Sequence, residues 1–62
     1  MKSEKKIITI LIADDHPLAR QGVRSILEKA PDMEIIGEAQ DGDETKQLVA
    51  ELRPNILLFC RA

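Results

Sequence analysis

The sequence predicts an α/β fold built on a small parallel sheet, and three observations carry that prediction. Residues 7–13, broken by Thr9 alone, and residues 56–60 are apolar runs, as expected of strands covered on both faces. Two segments of helical periodicity and a third strand-like run lie between them, so the elements alternate strand, helix, strand, helix, strand. The first apolar run stops abruptly at Asp14-Asp15, followed by His16-Pro17. That places two carboxylates at the carboxyl end of a strand, where open α/β sheets carry their chemistry.

The first strand, residues 7–13, is Ile-Ile-Thr-Ile-Leu-Ile-Ala. Pro17 then suits the first position of a helix, since it has no N–H to lose there and its φ is already helical. This helix is expected over residues 17–30, with Leu18, Ala19, Gly22, Val23, Ile26, Leu27 and Ala30 forming one stripe. Arg20, Gln21, Arg24, Glu28 and Lys29 are expected to face water, and Pro31-Asp32 to stop the helix. The second strand, residues 34–39, has a charge near each end and reads as an edge strand. Asp41 followed by Glu44 resembles a capping box opening a second helix, which buries Leu48, Val49 and Leu52 beside Thr45 and ends at Arg53-Pro54. The last strand, residues 56–60, is apolar throughout and is expected to be central. With the first and third strands central and the second at the edge, the order is 2-1-3. The helices then lie on opposite faces, and a topological switch point falls between the first and third strands.

Composition bounds the function. A chain of 62 residues is at most one domain, and chains of this size bury only about 60% of the surface they expose when unfolded. The net charge of −2, with both signs interspersed, points to neither a polyanion nor a membrane surface as partner. Residues 1–6, with Lys2, Lys5 and Lys6 broken by Ser3 and Glu4, read as a solvated tail, leaving 7–62 as the domain. The apolar stretches are too short to span a membrane, and a single cysteine suits a reducing compartment, so a cytoplasmic protein is expected. Two adjacent carboxylates repel each other unless a cation or donor meets them, so Asp14 and Asp15 are candidate divalent-metal ligands. His16 reads most simply as a helix-start residue, and Gly22, Gly37 and Gly42 form no phosphate-cradling GxGxxG.

Residues 10–18 (Ile-Leu-Ile-Ala-Asp-Asp-His-Pro-Leu), Gly22-Val23-Arg24, Ile26-Leu27, residues 34–39 (Glu-Ile-Ile-Gly-Glu-Ala), Asp41-Gly42 and residues 52–56 (Leu-Arg-Pro-Asn-Ile) together resemble the receiver domain of bacterial two-component response regulators. The subgroup it is most similar to carries a C-terminal helix-turn-helix DNA-binding domain. The resemblance covers residues 7–58 and implies a flavodoxin-like fold, of which this sequence holds the β1-α1-β2-α2-β3 half, with no DNA-binding domain. It further implies phosphorelay signalling rather than enzymatic turnover, with a sensor histidine kinase as partner. In such domains Mg²⁺ lies beside the acidic pair. Carried across, Asp15 would be its direct ligand and Asp14 a ligand through water.

The resemblance breaks at the third strand. Aligned on Pro54-Asn55-Ile56-Leu57-Leu58, Cys60 stands where the family has its phosphoacceptor aspartate. A thiol supplies neither a carboxylate nucleophile nor a hard oxygen ligand. The hydroxyl residue and the lysine that end the family's fourth and fifth strands have no counterpart before Ala62, so a truncated receiver, inactive at residue 60, is expected. Two alternatives stay open: a non-catalytic module that self-associates through the exposed edge of the third strand, and a non-functional truncation product.

Overall fold

The computed structural model describes residues 6–59, and Cys60 lies outside the described residues. Three strands, β1 (Ile8–Ala13), β2 (Met33–Ala39) and β3 (Ile56–Phe59), alternate with two helices, α1 (Pro17–Leu27) and α2 (Gly42–Leu52). The sheet order is β2-β1-β3 and both pairings are parallel, as the apolar pattern predicts.

Register explains the layers. Ile10 pairs with Ile35 but Leu11 with Gly37, so Ile36 is an extra residue that re-phases β2 against β1. Gly37 and Glu38 are adjacent on β2 and therefore point to opposite faces. A Cβ on Gly37 would sit 2.9 Å from Leu52 Cδ1 and 3.1 Å from Leu11 Cδ1, so Gly37 lets α2 lie close to the sheet. Glu38 instead meets Arg20 and Arg24 of α1. The helices thus cover opposite faces, and the core is the end of β1: Ile10, Leu11, Ile12 and Ala13, with Ala39 beside them.

Local chemistry sets the ends of α2. Asp41 caps it by accepting from the Glu44 N–H at 2.8 Å, while Glu44 Oε1 reaches back to the Gln40 N–H at 2.8 Å. The expected capping box is present, with its return bond one residue earlier than usual. Arg53 ends α2 in the left-handed conformation, φ 49°. Thr9 and Asn55 then lock the start of β3 to β1. Asn55 Oδ1 accepts from the Thr9 N–H (2.9 Å) and the Thr9 hydroxyl (3.0 Å), and the Asn55 N–H donates to Thr9 Oγ1 (2.9 Å).

Four expectations are corrected. Helix α1 ends at Leu27, three residues before the expected Ala30, and Pro31 does not act as its stop. Its apolar stripe is wider than the surface it covers: Ala19, Val23 and Leu27 are half-buried, whereas Leu18 is 82% and Ile26 69% exposed. Arg20 does not face water but is drawn against β2, its side chain only 16% exposed. Finally, β3 is the outer strand among the described residues, and Ile56, Leu57 and Phe59 are exposed despite their apolar character, as are Val49 and Leu52 on α2.

Candidate functional site

The site grows from the end of β1. The Asp14 N–H donates to Ala39 O at 3.0 Å, so the ladder with β2 carries one residue past the strand. Asp14 is thereby buried (2% exposed), and its side chain folds onto the following turn, where Oδ1 accepts from the His16 N–H at 2.8 Å. A carboxylate bonding the amide two residues on is an Asx turn, and it fixes the direction in which the chain enters α1. The bond from the His16 backbone N–H holds the Asp14 carboxyl below its ordinary pKa of 3.8, with the His16 imidazole adding to the effect and burial opposing it.

Asp15 is placed differently. Its side chain is exposed, and its Oδ1 lies 2.7 Å from His16 Nδ1. The same nitrogen is 3.3 Å from Asp14 Oδ1, so the imidazole bridges the two carboxylates. His16 is the N-cap of α1, in extended conformation and immediately before Pro17, as the helix-start reading expects. Its ring contacts with both acids were not foreseen. Among the described residues, Asp14, Asp15 and His16 form a group whose ligand atoms lie within 4.8 Å of one another. The two carboxylates present hard oxygens of the kind Mg²⁺ prefers, whereas the imidazole is a ligand better suited to transition metals. The donor set therefore fits a hard divalent cation held by the two acids together with water.

Sequence reasoning missed Arg20. Its Nη1 donates to the Asp14 carbonyl oxygen at 2.6 Å, and its Nε donates to Glu38 Oε1 at 3.2 Å. Glu38 also accepts from Arg24, and Arg24 reaches Glu28 at 3.3 Å, so alternating charges run from the site along α1. Two features could have signalled it. Arg20 lies one turn after the N-cap, and Glu38 is the acid nearest the end of β2, alongside the end of β1. Across the sheet, Ala13 pairs with Phe59, so the last described residue of β3 is level with the residue before the acidic pair.

Comparison with known proteins identifies the family and agrees with the fold. The family model of the response regulator receiver domain matches residues 10–59. The chain is 46% identical over 53 residues to the transcriptional regulatory protein LiaR of Bacillus subtilis, covering 86% of this chain and 25% of that protein. It is 39% identical over 57 residues to the nitrate/nitrite response regulator protein NarL of Escherichia coli, covering 92% of this chain and 26% of that protein. It therefore spans about a quarter of the length of these relatives. In structure it is similar to the response regulator domain of Thermotoga maritima CheB, with a TM-score of 0.82 and 33% identity over 84% of this chain and 39% of that one. Among the described residues, no helix is long and apolar enough to cross a membrane. With a family match across all three strands and both helices, this chain belongs to the response regulator receiver domain family.

Proposed function

We propose that this chain is a receiver module of two-component phosphorelay signalling, residues 7–62 behind a short tail, that keeps the family's acidic pocket but not its phosphoacceptor. The observation that carries this reading is the juxtaposition at the end of β1: a buried Asp14 and an exposed Asp15, one and two residues beyond the pairing of Ala13 with Phe59. In this reading Asp15 is the direct Mg²⁺ ligand, Asp14 binds through water, and a sensor histidine kinase is the partner. A bound Mg²⁺ would offset the charge of incoming phosphoryl oxygens. Cys60 follows Phe59 directly and takes the phosphoacceptor's place in the sequence, so no acyl phosphate forms there. Incubation with acetyl phosphate and Mg²⁺ is expected to leave the mass of the chain unchanged. A gain of one phosphoryl group, mapped to Asp14, Asp15 or Cys60, would overturn the reading.

A second reading is favoured by β3. Ile56, Leu57 and Phe59 are all more than a third exposed, and an apolar strand without charges invites pairing with another chain. On this reading the chain self-associates through β3, and its sedimentation-derived mass rises with concentration. A folded monomer at all concentrations would exclude it.

A further inference from the structure

We infer that Arg20 is the positioning residue of the acidic pair, acting through the Asp14 peptide rather than through its charge. The inference rests on the reading of Asp14 and Asp15 as cation ligands. The ladder that holds β1 to β2 ends with the Asp14 N–H on Ala39 O. The next backbone group, the Asp14 carbonyl, belongs to the planar peptide from which Asp15 departs, so whatever holds that carbonyl sets where the Asp15 side chain begins. Arg20 holds it, donating from Nη1 at 2.6 Å. The same guanidinium donates from Nε to Glu38 Oε1 at 3.2 Å. Because the guanidinium is a rigid planar fork, the two bonds tie the Asp14–Asp15 peptide, α1 and β2 into one unit. The side chain is 16% exposed, where such bonds are stronger than in water. Arg24 shares Glu38 but makes no bond to Asp14 O, which separates positioning from the ion pairs along α1.

Charge and geometry predict opposite outcomes. If Arg20 acted only as a nearby positive charge, Arg20→Ala would leave the acids more negative and tighten cation binding, and Arg20→Lys would change nothing. As a positioning residue, both substitutions weaken binding, since lysine is a single flexible point charge that cannot span Asp14 O and Glu38.

The experiment is titration of the chain with MgCl₂ and MnCl₂, followed by the NMR shifts and paramagnetic broadening of residues 14–16. Both Arg20 variants are expected to weaken binding about tenfold, as loss of a group that orients a metal ligand does. Arg24→Ala is expected to stay within about twofold, in line with the small worth of exposed ion pairs. Unchanged or tighter binding in the Arg20 variants overturns the inference, as does an equal loss in Arg24→Ala. If Arg20→Ala does not fold, Arg20→Lys carries the comparison. Should the unsubstituted chain bind neither cation, the cation reading fails, and hydrogen exchange at the His16 amide decides the role of Arg20. Faster exchange there in Arg20→Lys, with Ile12 unchanged, supports positioning of the turn, and unchanged exchange overturns it.

Discussion

Over their paired residues strands β1 and β3 are both apolar, and they pair residue for residue from Ile10 with Ile56 to Ala13 with Phe59. Leu11 is completely buried, whereas its partner Leu57 is 43% exposed. The difference lies in their neighbours. β1 has a strand on each side and packs against α2, while β3 has a strand on one side only among the described residues. An apolar run therefore specifies a strand, and the place of that strand in the sheet specifies how much the run contributes to stability. The acidic turn inherits this asymmetry, because Asp14 continues the rigid strand and is buried with it.

The largest expected effect tests that contrast on identical side chains. Leu11→Ala should destabilise the fold by about 3 kcal/mol and Leu57→Ala by about 1 kcal/mol, because only the first leaves a cavity that cannot relax. The shift in denaturant midpoint reads both, and equal losses would show that β3 is covered as well as β1. Next is the attachment of β3. Asn55→Ala removes the two bonds that its side-chain oxygen accepts from Thr9, leaves the backbone N–H bond to Thr9 Oγ1, and should cost about 1.5 kcal/mol, with Thr9→Val then adding only the loss of that remaining bond. Additive losses in that cycle would mean the two side chains act separately.

A smaller effect concerns the layer over β1 and β2. Gly37→Ala should cost about 1 kcal/mol by crowding Leu52 and Leu11. The penalty should shrink in a Leu52→Ala background, and if it does not, the backbone rather than the helix contact requires glycine. The smallest is a pH dependence. The Asp14 carboxyl titrates below its ordinary value of 3.8 because it accepts from the His16 N–H, so it contributes stability that is fully present above that value. The contribution is lost as pH falls through the lowered folded-state pKa. Asp14→Asn should flatten the acid limb of a stability–pH curve, and an unaltered limb would mean other carboxylates dominate it.

Sequence reasoning succeeded where one residue's chemistry decides the outcome. Pro17 can begin a helix but not continue one, Asp41 and Glu44 cap α2, and the acidic pair falls at the end of β1. It overreached on α1, where Leu18, Gly22 and Ile26 share the helical period of Ala19, Val23 and Leu27 but have no surface to cover. Periodicity defines an apolar stripe without stating how wide the facing surface is. It failed on Arg20, because a charged residue beside an apolar stripe is assigned to water unless its partner is known. That partner, Glu38, is eighteen residues away on another element.

Pattern and spacing in the chain were enough to anticipate the order of elements and to place the acidic pair at the end of a strand, and resemblance to a known family anticipated the parallel sheet in order 2-1-3 and the family itself. Tertiary structure decided which of two apolar strands is the core, which half of the α1 stripe packs, and that Arg20 grips the Asp14 carbonyl. These depend on the register between β1, β2 and the helices, where a shift of one residue exchanges buried and exposed faces. No single segment of the chain contains that information.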